Sequence, residues 1–374
     1  MSAAPAPTEH QGLFVGLMSG TSMDGTDAVL ARFANDGVQV LGHRHLAFAP
    51  ALRDELLALN TPEGPDELHR AALAATGVAR CYADVVAQLL EGAGTKASEV
   101  TALGAHGQTV RHRPGAFDGT GYTVQLLNAA LLAEQTGIDV VADLRSRDLA
   151  AGGQGAPLVP AFHRAVFAQA GRDIAVLNIG GISNVSLLRA DGSVTGFDCG
   201  PGNCLMDLWV AEHLGQAYDA GGRWAAGGQA LAPLLQALLA EPYFALPPPR
   251  STGRDLFNRA WLQARLPAGA PPQDVQATLL ELTALAIVDS LPSAPAELLV
   301  CGGGALNTAL MARLQALLPR TAMMPTDARG LPAMQVEAAA FAWLAMRFTR
   351  RLPGNLPAAT GAAGPRLLGA LYPA

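Results

Sequence analysis

The stretch Gly12-Leu13-Phe14-Val15-Gly16-Leu17-Met18-Ser19-Gly20-Thr21-Ser22-Met23-Asp24-Gly25-Thr26-Asp27-Ala28-Val29-Leu30-Ala31-Arg32-Phe33 holds two short apolar runs, 12–18 and 28–33, around a turn-rich segment, 19–27. Asn35-Asp36-Gly37 then leads into a third run from Val38, and Asp-Gly between apolar runs is a strong hairpin signal. The three runs predict a β-meander. The same grammar returns later: a run at 174–179, Gly180-Gly181-Ile182-Ser183-Asn184, a run at 185–188, Ala190-Asp191-Gly192, and a run at 194–197. Two such copies, set about half a chain apart, predict a duplicated domain.

Apolar residues at spacings of three and four predict helices over 54–59, 67–90, 275–291 and 308–318. Short extended runs at 100–105, 138–142 and 298–300 alternate with them, which implies an α/β fold with partly parallel sheets. With 374 residues, two domains are expected, because a single core seldom grows beyond a few hundred residues. The Gly-rich segment 152–160 breaks the pattern and marks a crossover. The expected division is 1–155 with 352–374 as one domain and 156–351 as the other. The stretch 246–253, with three prolines, reads as a rigid surface loop.

Half the residues are apolar and 15% are charged, as in a compact globular enzyme. The formal charge is −6 and no block of Lys or Arg occurs, which argues against nucleic acid and against an anionic membrane surface as partners. A small-molecule ligand is expected instead. Residues 1–11 lack the basic and apolar regions of a secretory signal, and no uncharged apolar run reaches membrane-spanning length. Cys81, Cys199, Cys204 and Cys301 are scattered, without zinc or disulfide spacing. A soluble cytoplasmic protein with reduced thiols follows as the expectation. Lys96 is the only lysine and lies away from any Gly-rich turn, which excludes a P-loop. His43 and His45 share a strand face, but no third ligand is near in sequence, so no metal site is expected there.

Segment 19–27 packs two glycines and four hydroxyl residues into one turn. Glycines admit phosphate oxygens to backbone N–H groups, hydroxyls add donors, and the carboxylates of Asp24 and Asp27 suit Mg2+ or its water shell. A plain hairpin turn needs only two residues, so phosphate binding is favoured. Gly180-Gly181 with Asn184 offers a second such turn, and Gly302-Gly303-Gly304 with Asn307 opens a helix after a strand. Either glycine cluster alone also fits tight strand-to-helix packing. Asp198, at a strand end before Gly200-Pro201-Gly202, suits a general base at a cleft edge or an Asx turn capping the next helix. His106, Gln108 and Thr109 follow one strand, and Arg145 and Arg147 follow another; sugar hydroxyls and a carboxylate are natural partners for such groups, ion pairs the plainer alternative.

These motifs together resemble the anhydro-N-acetylmuramic acid kinases. The resemblance is carried by residues 16–27, 105–109, 141–143, 151–157, 178–184, 197–203 and 301–307, in that family's order, and runs from about Gly12 to Pro373. Ala105 and Met23 are mild departures, where that family commonly has Ser and Leu. The resemblance implies two ribonuclease-H-like domains of the actin-like, sugar-kinase and heat-shock ATPase fold flanking a nucleotide cleft. It implies ATP and Mg2+ as cofactors, an amino sugar from bacterial cell wall as substrate, and a reaction that opens the 1,6-anhydro ring with water while phosphorylating its 6-oxygen, in peptidoglycan recycling. By the same resemblance Gly20, Thr21, Ser22, Met23, Asp24, Gly25, Thr26 and Asp27 bind ATP, Asp198 is the base, and Arg147 and Glu337 bind sugar or assist the base. A homodimer is compatible with it. Two rivals remain: an actin-like ATPase switch, which turns over without sugar, and an ordinary hexose kinase. A dinucleotide-binding oxidoreductase is disfavoured, since no GxGxxG follows a strand and opens a helix.

Overall fold

A computed structural model describes residues 12–20, 23–34, 37–248 and 250–374. Segment 1–11, Thr21, Ser22, Asn35, Asp36 and Pro249 lie outside the described residues, and with them the expected Asp-Gly turn and part of the 19–27 segment. The chain divides into two compact units: 12–147 with Ala338–Gly354 and Arg366–Ala374, and Asp148–Glu337 with Asn355–Pro365.

In the first unit β1 (Leu13–Met18), β2 (Gly25–Ala34) and β3 (Gly37–Ala47) form the antiparallel meander. β4 (Val100–Ala105) runs parallel beside β1. β5 (Gln108–Pro114) and β6 (Gly121–Leu126) make a separate hairpin, and β7 (Val140–Ala142) lies parallel beside β4. Alternation sorts the side chains: Val15, Leu17, Ala28 and Leu30 join one apolar cluster with Val78, Tyr82, Val85, Val86 and Leu89 of the helix Glu67–Ala93. That helix is long and apolar enough to cross a membrane by composition, yet its apolar side is spent on this sheet. On the other face Gly16 and Gly104 leave no room for a Cβ, which would strike the carbonyls of Ala338 and Phe341. The helix Val336–Thr349 therefore lies flush against the sheet, and this packing places Ala338–Gly354 in the first unit rather than the second.

The second unit repeats the plan. β8 (Ile174–Ile179), β9 (Ile182–Leu188) and β10 (Val194–Pro201) are an antiparallel meander, with β11 (Glu297–Cys301) parallel beside β8 and β12 (Ala322–Pro325) parallel beside β11. A short β13 (Ala370–Tyr372) extends the first unit's sheet beyond β7. Counted within each sheet, both carry the order 3-2-1-4-5, with strands 2 and 3 antiparallel and 4 and 5 parallel; the duplication expected from the meanders is present, in the ribonuclease-H-like arrangement that the family resemblance implied. The boundary differs from the expected one: Asp148 belongs to the second unit. Its buried carboxylate accepts from Gly155 N, Asn355 Nδ2 and Thr360 Oγ1, each at 2.8 Å, which binds 148–155 to 355–360.

Candidate active site

In the first unit, the candidates gather where β1 and β4 end. Ser19 is 1% exposed, and its hydroxyl donates to Gly107 O at 3.0 Å. The buried Tyr82 hydroxyl, 2.8 Å from Ser19 Oγ, is then the donor of that pair. Gln108 Nε2 donates to Gly20 O at 3.2 Å, and His106 N donates to Leu17 O at 3.0 Å. The 19–20 turn and the 106–108 segment are thus one hydrogen-bonded piece. Thr109 Oγ1 accepts from Gln125 Nε2 at 3.2 Å. Arg145 donates through Nε and Nη2 to His106 Nε2 at 3.0 and 2.9 Å, so that nitrogen carries a lone pair and the proton sits on Nδ1. Burial first, and the Arg145 charge second, hold the imidazole pKa well below the usual histidine range. His106 is a neutral ring that aims Arg145. Arg147, the arginine expected at the sugar, lies exposed in the short helix Ser146–Ala150.

The structure redistributes the 19–27 segment. Met23 N donates to Gly20 O at 3.2 Å; Met23 adopts φ 54°, and its side chain is buried in the core. Asp24 is exposed. Gly25, Thr26 and Asp27 belong to β2 rather than to the turn. Gly25 is a packing glycine, because a Cβ there would strike Leu46 O, and Thr26 Oγ1 donates to Met18 O at 3.3 Å. Asp27 Oδ1 accepts from His43 Nε2 at 2.9 Å and from His45 Nδ1 at 3.3 Å. Burial pushes the Asp27 pKa up, but these two hydrogen bonds outweigh it and the net shift is downward. The hydrogen bond to Asp27 raises the His45 pKa against the opposing effect of burial.

In the second unit, β-sheet register assembles the site. Cys301, Asn178, Asn184 and Asp198 pair in succession across β11, β8, β9 and β10. Such a row places its side chains on one face at neighbouring distance. Asn184 is therefore a strand residue opposite Asp198, not a turn residue. Beyond the row two segments converge: Gly202 N and Cys204 N donate to Gly181 O at 2.9 and 3.1 Å, and Asn203 N donates to Gly180 O at 2.8 Å. The glycines there divide by cause. A Cβ on Gly302 or Gly304 would strike Asn178 or Ile179, and one on Gly202 would strike Gly180 O, so packing requires these three. A Cβ on Gly180 or Gly303 would meet nothing closer than 3.6 Å among the described residues, so packing does not account for glycine at those two. Asn307 Oδ1 caps the helix Thr308–Leu317 by accepting from Leu310 N at 3.0 Å, which accounts for that residue structurally. Glu337 opens the helix Val336–Thr349, and its charge reaches the buried Cys301 thiol, whose pKa is pushed up by burial first and by Glu337 second.

Asp198 stands at a bulge in β10, the edge strand of its sheet. The expected surface loop 246–253 closes on that edge. Asp198 N donates to Arg250 O at 3.0 Å, and Thr252 N donates to Asp198 Oδ2 at 3.0 Å. Asp198 O accepts from Tyr243 Oη at 2.7 Å and from Arg250 Nε at 3.2 Å. Arg250 also donates to Phe244 O, Leu246 O and Ser290 Oγ at 2.9, 2.8 and 2.7 Å, and its guanidinium lies over the Tyr243 ring. The N-cap position of the helix Cys204–Leu214 is Asn203, not Asp198. Sequence reading missed Tyr243, Arg250 and Thr252. The only available signal was an Arg-Ser-Thr-Gly run directly after three prolines.

The family model described as anhydro-N-acetylmuramic acid kinase matches residues 12–374. A protein of that name from Variovorax paradoxus (strain S110) is 63% identical over 372 residues, spanning 97% of this chain and 99% of its own. One from Albidiferax ferrireducens (strain ATCC BAA-621 / DSM 15236 / T118) is 56% identical over 387 residues, again 97% of this chain and 99% of its own. Among solved structures, component A of the Acidaminococcus fermentans (R)-2-hydroxyglutaryl-CoA dehydratase aligns over 88% of this chain and 98% of its own at 13% identity, with a TM-score of 0.46. With the family model matched over residues 12–374 and relatives well above half identical along nearly their whole length, the chain belongs to the anhydro-N-acetylmuramic acid kinase family.

Proposed function

We propose that this chain uses ATP to phosphorylate 1,6-anhydro-N-acetylmuramic acid with opening of its anhydro ring, giving N-acetylmuramic acid 6-phosphate for peptidoglycan recycling. The observation that carries the reading, beside family membership, is a carboxylate, Asp198, held by Thr252 N–H at the end of a register row and next to glycine turns with room for a ligand. Water attacks the anomeric carbon, Asp198 takes its proton, the bond from that carbon to the bridging oxygen breaks, and this oxygen accepts the γ-phosphoryl group. Base assistance of this kind supplies roughly a hundred- to ten-thousandfold in rate.

Gly180, Gly303 and the Ser19–Gly20 turn are assigned to phosphate oxygens, with Asn178 and Asn184 lining the row that leads to Asp198. Magnesium, when bound, offsets phosphate charge. Exposed Asp24 fits its hydration shell better than Asp27, whose carboxylate oxygen is already committed to two histidines. Arg145, aimed by neutral His106, is assigned to the sugar's lactyl carboxylate. Four free thiols, three of them buried, suit a reducing compartment, in keeping with a cytoplasmic step. The test is incubation with ATP, Mg2+ and a panel of amino sugars in 18O-water, with products read by mass. Solvent oxygen at the anomeric carbon of a 6-phosphorylated product is expected. ATP turnover without sugar would favour the ATPase switch, and phosphorylation without solvent oxygen would favour an ordinary hexose kinase.

A further inference from the structure

Hydroxyl groups around Asp198 are nearly all spoken for. Ser183 Oγ donates to Gly200 O at 3.1 Å, Thr283 Oγ1 to Gly202 O at 3.0 Å, and Ser290 Oγ to Ala286 O at 2.6 Å. Thr252 is the exception: its Oγ1 is shut off from solvent and has no hydrogen-bond partner among the described residues. An unmatched buried hydroxyl costs on the order of 1–3 kcal/mol, and valine would fill the same volume without that cost. A residue that carries the hydroxyl, and whose own N–H holds the base, calls for a partner supplied from outside the chain.

We propose that Thr252 is a further site residue: its N–H fixes the Asp198 carboxylate, and its hydroxyl orients the water that Asp198 deprotonates. The proposal rests on the reading of Asp198 as the base. Within one threonine the amide nitrogen and Oγ1 lie about 3–4 Å apart. With Thr252 N at 3.0 Å from Oδ2, Oγ1 stands no more than about 7 Å from that oxygen. One water bonded at about 2.8 Å to both groups bridges up to about 5.6 Å, most of that range. Two acceptors on one water fix both of its hydrogens, and with them the directions of its two lone pairs. A carboxylate alone leaves the water free to swing about one hydrogen bond. Arg250, through its bonds to four carbonyls and Ser290, holds its own backbone in place beside Asp198.

The experiment compares Thr252→Val, Thr252→Ser and Asp198→Asn in the full chain with ATP, Mg2+ and the anhydro sugar, measuring kcat, both KM values and thermal unfolding. Thr252→Val is expected to lower kcat about ten- to a hundredfold with both KM values within about threefold, and Thr252→Ser to return kcat to within about threefold. If valine impairs folding, Thr252→Ala removes the hydroxyl without filling its place and must give the same split. Unchanged kcat in Thr252→Val, a rise in sugar KM alone, or a serine variant as slow as the valine one overturns the proposal. Asp198→Asn separates the two levels. If it turns over normally, the base reading fails and takes this proposal with it; if it is inactive while Thr252→Val is normal, only the role of Thr252 fails.

Discussion

Replacing Asp198 by Asn separates chemistry from architecture, because the structure predicts a small effect on one and a large effect on the other. The backbone at this position is fixed by Tyr243 and Arg250 on its carbonyl and by Arg250 O on its amide, and none of those bonds involves the side chain. The carboxylate's bond from Thr252 N, at 3.0 Å, can pass to the Asn carbonyl oxygen. Stability therefore changes by the difference between a charge-assisted and a neutral hydrogen bond, about 1 kcal/mol. An amide cannot take a proton from water. Turnover should fall at least about a hundredfold, equivalent to about 2.7 kcal/mol on the barrier. Calorimetry for ATP and sugar, thermal unfolding, and a product assay on the same preparation read the three quantities. A folded, ligand-binding Asn variant with near-normal turnover refutes the assignment.

The two classes of glycine predict opposite behaviour: Gly302→Ala, at φ 79° and against Asn178, should destabilise the fold by about 2 kcal/mol or more, whereas Gly303→Ala should unfold normally yet raise the ATP KM at least about fivefold. Tyr82→Phe deletes only the hydroxyl that donates to Ser19; it should cost about 1 kcal/mol of stability and lower kcat/KM for ATP, and its effect should not add to that of Ser19→Ala in a double-mutant cycle. His45, with its pKa raised above 6.5 by Asp27, contributes stability that is full below 6.5 and lost as pH rises through the folded value. Asp27, lowered below 3.8, contributes above 3.8 and loses it as pH falls through its folded value. Asp27→Asn should therefore bring the His45 titration, followed by NMR, back toward 6.5 and flatten the alkaline loss. An unmoved titration would show that the pair is not coupled.

Local sequence was enough for the two meanders, the helices between them, the turns that carry Ser19, Gly180 and Gly302, and the strand that carries Asp198. These follow from local physics: alternation, spacings of three and four, and the turn chemistry of Asp-Gly and Gly-Gly act over a few residues and are written in them. The motif resemblance pointed to the family for the same reason, since its segments are contiguous. Which glycines serve packing and which leave room for a ligand was not legible, because the difference depends on Ile179, Asn178 and Leu46, brought from other strands. Strand limits moved for a similar reason: Gly25 and Thr26 look like turn residues until pairing with β3 draws them into the sheet, and Asn184 until pairing with β10 does the same. The helix Val336–Thr349 could be assigned to its unit only through contact with Gly16 and Gly104, hundreds of residues away. Only the tertiary structure brought Arg250 and Thr252 to Asp198, across about fifty positions of chain. Loop closure over such a span is decided by the packing of the whole unit and leaves no periodic trace in the residues it joins.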